Sequence, residues 1–370
     1  MAHRKRSLLP IGIHMDAEAV YMIQLEQTDG TVEVVSKAAR QFKPEPLPSP
    51  KKDGSPSGQA GSGIGLAGRE EARAFIREKM ASDGFRGKQA VISMPSDQLI
   101  IQHLRLPPVP PEEMSSTLLM ELQGRLPYDP RKAVLRHIVA GQVSENNEMK
   151  QDVIVLAVRR DLTEKHVAAM DRLGLQVVGV GVEPCAMCYP YLFAAAHAPP
   201  VSEGPSAVMI VYLGGRATHV AIVRGQEMTF VKGVELGMDH VRSAVAKNRN
   251  MTEEQAVALR AGWRESSEEK DFQEALDTYN AVWSSLGHIA DEIESCLRYH
   301  ASLARGAHID RLVFVGPEAK DRALARVIGS HLSIAADVGD PLKVVSGAAA
   351  QVGVEPELAV AVGLSLFSAQ

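Results

Sequence analysis

Apolar positions along the chain fall into short runs parted by glycine or polar turns, and one arrangement of such runs occurs twice. At 207–213 the run Ala-Val-Met-Ile-Val-Tyr-Leu is followed by Gly214-Gly215-Arg216, then by an apolar run from Ala217 to Val223. After the turn Arg224-Gly225-Gln226-Glu227 comes Met228 to Val231. Near the N-terminus, Ile11 to Met15, Ala19 to Leu25 and Val32 to Val35 repeat the plan, with a turn at Thr28-Asp29-Gly30-Thr31. Short runs rich in β-branched residues and separated by such turns predict antiparallel meanders. Two meanders about half a chain apart, each followed by helical segments, predict an α/β protein of two similar lobes. A cleft between such lobes is a natural ligand site.

The remaining pattern fills in the lobes. Residues 69–82 have helical spacing, with Ala72, Ala74, Phe75 and Met80 on one side. Strands are predicted at 89–94 and 99–106, the second stopped by Pro107 and Pro108. A helix at 111–125 opens with Pro111, and Glu112 and Glu113 complement its positive end. Strands at 134–139 and 152–158 flank a polar turn at Asn146-Asn147, before a helix at 162–173 and a strand at 175–182. Glu183-Pro184-Cys185 starts another helix. Helices are also predicted at 241–247 and at 252–261, where Thr252 and Gln255 form a capping box. One long amphipathic helix is predicted over 271–303, a strand at 311–315, and helices at 319–328 and 359–366. Between 43 and 68, five prolines give way to six glycines with little to bury, which predicts a flexible insertion.

Composition narrows the class. A chain of 370 residues exceeds one ordinary core, and 45% hydrophobic residues is a normal globular content. A net charge of −5 leaves no basic footprint for nucleic acid. Three cysteines cannot build a disulfide framework, which points to a reducing compartment. No apolar stretch approaches the roughly 20 residues that span a bilayer. The expectation is a cytoplasmic protein without direct membrane insertion.

Candidate chemistry is sparse. Cys185 and Cys188 have the spacing of a metal or redox pair, but only Cys296 remains elsewhere, and an apolar helix start fits buried thiols better. His14, His219 and His300 stand singly and read as core or surface histidines rather than catalysts. Asp291, Glu292 and Glu294 read as a solvated cluster. No Walker-type lysine loop, nucleophile elbow or His-Glu-x-x-His is present. The Gly214-Gly215 pair fits an ordinary hairpin turn, or a backbone that approaches a phosphate.

The order of these motifs resembles the actin-like ATPase superfamily, in particular the PilM family of type IV pilus assembly. Ile11-Gly12-Ile13 resembles the start of a first phosphate loop, and Leu213-Gly214-Gly215 with Thr218 a second. Gly237 to Asp239 resembles the opening of the next helix, and Arg311 to Gly316 the adenosine side. Ile101 to Leu106, then Pro111-Glu112-Glu113 through Leu126-Pro127-Tyr128, resembles a small inserted subdomain. The resemblance implies a two-lobed actin-like (ribonuclease H-like) fold with a small α+β subdomain in the first lobe. It divides the chain into a first lobe at 1–94 with its insertion at 43–68, the inserted subdomain at 95–178, and a return at 179–205. The second lobe core then spans 206–236 and 305–349 around a helical subdomain at 237–304, and a C-terminal helix follows at 350–370.

If nucleotide binding were retained, the resemblance assigns it to Gly12, Gly214, Gly215, Thr218, Gly237 and Gly316. The departures argue otherwise. His14 and Tyr212 stand where such ATPases carry aspartates, Asp16 replaces a glycine, Tyr21 stands where lysine is frequent, and Ser295 where a basic residue is. Gly316 is followed by Pro317 instead of a second glycine. Lost carboxylates remove the hard oxygen ligands of magnesium. The expectation is a pseudo-ATPase with no catalytic residue, no metal and no required cofactor, ATP with magnesium being disfavoured. The implied role is a scaffold of a type IV pilus or type II secretion-like platform. It would hold the cytoplasmic N-terminal tail of a PilN-like inner-membrane protein, beside other platform subunits or a second copy of itself. Leu104, Leu106, Leu118 and Leu119 are placed to floor a groove for that tail, or to pack in the core. An actin-like ATPase that still binds nucleotide, and an FtsA-like filament former, are the competing readings.

Overall fold

The computed structural model describes residues 6–16, 18–28, 31–42, 65–82, 84–145, 148–198, 207–303, 308–346 and 353–367. The first lobe is built on β1 (Arg6–Leu8), β2 (Ile11–Met15), β3 (Ala19–Thr28), β4 (Thr31–Gln41), helix α1 (Glu70–Ser82) and β5 (Gln89–Met94). β2, β3 and β4 form the expected antiparallel meander, and β5 runs parallel to β2. α1 buries Ala72, Phe75 and Ile76 on the sheet, whereas Ala74 faces outward. The expected insertion falls mostly outside the described residues. Its end at Gly65–Gly68 is instead a tight helical turn that buries Ala67.

Between β5 and the last strand of this sheet, the chain makes a separate layer from β6 (Ile100–Leu106), α2 (Pro111–Glu121), β7 (Ala133–Glu145) and β8 (Glu148–Arg159), after which α3 (Arg160–Asp171) packs Ala169 and Met170 into the first-lobe core. β8 pairs antiparallel with β6 on one side and β7 on the other. Strand alternation sends Leu104, Leu106, Val153 and Val155 to one face, where Met114, Leu118 and Leu122 of the α2 region cover them. β9 (Gln176–Val182) then returns as the parallel neighbour of β5.

α4 (Glu183–Ala186) and α5 (Tyr189–His197) lead across to the second lobe. There β10 (Ala207–Leu213), β11 (Thr218–Arg224) and β12 (Glu227–Val234) form the second meander. α6 (Met238–Asn248) and α7 (Glu253–Glu265) follow, and the Thr252–Gln255 capping box opens α7 as expected. The long helix expected over 271–303 is two helices, α8 (Glu269–Ala281) and α9 (Trp283–Leu303), broken at Val282 (φ −101°, ψ 20°). The break lets Ala275 and Tyr279 of α8 and Leu286, Ile289 and Ile293 of α9 all reach the same core. A straight helix would rotate one of those stripes away from it.

β13 (Arg311–Val315) extends the second sheet in parallel beside β10, and α10 (Arg322–Leu332), β14 (Ala336–Val338) and α11 (Pro341–Ser346) follow. The sheet order is β12–β11–β10–β13–β14. The final helix α12 (Ala359–Leu366) is buried along its whole length between β2, β3 and α4. Among the described residues no helix is long and apolar enough to cross a membrane.

Candidate functional site

The ends of β2, β5, β10 and β11 meet at the seam between the lobes. His14, the fourth residue of β2, points at β10. One ring nitrogen lies 3.0 Å from Ser93 Oγ and the other 3.2 Å from Tyr212 Oη. Glu183, at the start of α4, is buried and lines the same cleft as Tyr212 and Ser96. His219 of β11 brings Nε2 to 3.7 Å from Glu183 Oε1, and neither of its ring nitrogens has a hydrogen-bond partner. His14 and His219 therefore do not stand singly: their rings lie 6.1 and 6.0 Å from that of Tyr212. Burial lowers His14 to about 3 and His219 to about 4, so both rings are neutral. Burial also raises the Glu183 carboxyl to about 8, with the nearby Asp16 adding to the effect.

The turn after β2 is the segment resembling a first phosphate loop. In it Asp16 Oδ1 accepts hydrogen bonds from the backbone N–H groups of Glu18 and Ala19, both at 2.6 Å. Both donors are thereby satisfied by the chain's own carboxylate. Burial raises the Asp16 carboxyl to about 6 in spite of these bonds. Gly12, assigned to that loop from the sequence, is corrected by the structure. It lies inside β2 under α12, where a Cβ would sit 2.0 Å from the Ala361 carbonyl oxygen. Its glycine serves close helix–sheet packing.

The second loop does reach the cleft, through Gly214 and Gly215. Its carbonyls are used within the lobe: Met238 N–H donates to Gly214 O and Asp239 N–H to Gly215 O, both at 2.9 Å. Gly237 has no side chain because Gly215 O would lie 2.2 Å from its Cβ. Thr218 is buried and donates its hydroxyl to Leu236 O at 2.7 Å, so it braces the loop instead of facing a ligand. Gly316 takes a left-handed backbone (φ +96°) against Leu213 and Tyr212, and Pro317 after it lines the cleft.

The wall beyond Pro317 carries a group that motif reading did not find. Glu318 accepts from Arg260 Nη2 at 2.7 Å and also from Arg264. Arg260 in turn donates to Tyr279 Oη at 3.0 Å, and Tyr279 donates to Asp321 at 2.5 Å. Burial alone would raise the Glu318 carboxyl, but the two arginines outweigh it and hold it below its ordinary value. Arg260 and Arg264 sit one turn apart on α7, and that i, i+4 spacing was the signal available in the sequence.

The cleft is lined by Asp16, Glu18, Glu183 and Glu318 against the single arginine Arg216, and it encloses about 60 Å³. The expected partner groove fares differently. Leu106 and Leu118 are each 2% exposed and form the core under α2, and Leu119 is only partly buried. Leu104, 4% exposed, packs in the same core and also lines a cavity of about 280 Å³ with Arg105, Asp152, Phe230 and Tyr299. Cys185, Cys188 and Cys296 are buried free thiols.

A family model for the type IV pilus assembly protein PilM matches residues 65–369. A solved structure titled the PilM–PilN type IV pilus biogenesis complex superimposes with a TM-score of 0.73, at 20% identity over 98% of both chains. The ethanolamine utilization protein EutJ from Carboxydothermus hydrogenoformans matches with a TM-score of 0.52, at 14% identity over 98% of this chain and 90% of its own. The architecture is the two-lobed actin-like fold.

Proposed function

The chain belongs to the PilM family of type IV pilus assembly proteins, and we propose that it acts there as a scaffold whose interlobe cleft does not hydrolyse ATP. The observation that carries this reading is Asp16. Its carboxylate takes the N–H groups of Glu18 and Ala19, so the first loop already holds an anion supplied by the chain itself. Glu318 does the same for Arg260 and Arg264. A polyphosphate would have to displace both carboxylates and enter a cleft with four acidic side chains. The enclosed volume of about 60 Å³ is small beside the roughly 300–1,000 Å³ of ordinary small-molecule sites.

The partner in this proposal is the cytoplasmic tail of a PilN-like inner-membrane protein. The related solved structure, titled a PilM–PilN complex, supports it. Such a contact would hold this chain at the cytoplasmic side of the inner membrane. With Leu106 and Leu118 committed to the core, these two leave the docking of the tail to other residues. Isothermal titration of the full chain with ATP and magnesium should give no binding heat, while a PilN-like tail peptide should bind. Saturable ATP binding with no peptide binding would reverse the proposal.

A further inference from the structure

The sheet that α2 covers on one side presents its other side to the second lobe. Leu104 and Leu106 pack toward α2, so strand alternation sends His103 and Arg105 the opposite way. The register sets Asp152 of β8 beside Arg105. Phe230 of β12 and Tyr299 of α9 supply the facing wall. The two bodies touch where His103 Nε2–H donates to Val231 O at 2.9 Å. Beside that contact lies the cavity of about 280 Å³, several times the volume of the interlobe cleft and sharing no lining residue with it.

Its walls combine rings with a buried acceptor. His103 lies 5.4 Å from Phe230 and 6.0 Å from Tyr299, and Phe230 and Tyr299 are 5.5 Å apart, with interplanar angles of 39°, 82° and 48°. Such a corner offers ring faces and ring edges together, the surfaces against which another aromatic ring packs. The carboxylate of Asp152, 6% exposed, accepts from Arg105 Nε at 3.1 Å through Oδ1. A carboxylate has about four acceptor positions, so this bond leaves capacity for a further donor. His103 adds a second acceptor: with the proton on Nε2 given to Val231, Nδ1 of the neutral ring offers its lone pair.

We propose that this cavity binds a neutral, planar aromatic molecule of two fused rings that carries an N–H group. The size follows from the volume. An apolar cavity of roughly 150 Å³ holds benzene, and the larger space here suits a second fused ring. The N–H follows from Asp152, because a wholly apolar guest would strip water from the carboxylate and return no hydrogen bond. Neutrality follows from Arg105, which already meets the charge of Asp152 and would repel a cationic guest. A nucleotide does not fit, since its sugar and phosphates need room beyond the rings.

The test titrates indole into the full chain by isothermal calorimetry, beside N-methylindole, which keeps the rings and loses the N–H. One indole should bind per chain, saturably. The methyl group and Asp152→Asn should each weaken binding about tenfold or more. Ala140→Phe, which fills the cavity from β7, should abolish it. N-acetyltryptophanamide separates two sources of the same ring. Binding like that of indole supports the site as a socket for a tryptophan side chain, and binding of indole alone supports a free small molecule. No saturable binding of indole, equal affinity for N-methylindole, or unchanged binding in a folded Ala140→Phe chain overturns the proposal. Circular dichroism checks each variant, and where one fails to fold, the comparison of indole with N-methylindole on the wild type decides.

Discussion

Asp16 and Gly12 show how a residue can be noticed for one reason and held in place by another. Asp16 stood out as a carboxylate where the resembled loop has glycine, and the structure gives it a use: it satisfies two N–H donors of the β2–β3 turn. Asp16→Ala leaves both unmet and should lower stability by about 1–3 kcal/mol in urea denaturation. Gly12 was legible as a position needing glycine, but the partner was not, because α12 lies at the far end of the chain. Gly12→Ala would drive a methyl into the Ala361 carbonyl. It should cost about 1–3 kcal/mol or more, measured in the same way. His14, Tyr212 and Glu183 were each visible as single residues. Their meeting was not, since they come from three elements joined only by the closure of two lobes.

At the scale of elements, the meanders were readable because short continuous apolar runs rich in β-branched residues are set off by glycine or polar turns. β1, β14 and α11 were missed, being three to six residues long and carrying too little periodicity. The division between α8 and α9 was missed because the apolar spacing continues through Val282, while the change of direction is imposed by the shared core. The leucines at 104, 106 and 118 could have served either a groove or a core from their spacing alone. The layer decides: α2 covers one face of a three-stranded sheet that has no other way to bury it. Leu118→Ala should therefore cost about 2–5 kcal/mol in chemical denaturation, as a core truncation does. A loss of peptide binding at unchanged stability would instead return Leu118 to a docking role.

For the whole molecule, two sheets of similar plan face each other across a cleft that the chain fills with its own groups. Asp16 holds the first loop, Glu318 holds Arg260 and Arg264, and the hydrogen bond between His14 and Tyr212 joins the lobes beneath them. Resemblance supplied the location of this cleft from the sequence. Its self-occupation depends on side-chain directions that spacing does not specify. The most direct measurement is phosphate release by the purified full chain with ATP and magnesium. The account predicts a rate indistinguishable from the protein-free blank. Magnesium-dependent release clearly above that blank, abolished by Gly214→Ala or Thr218→Ala in a protein that remains folded, would contradict it.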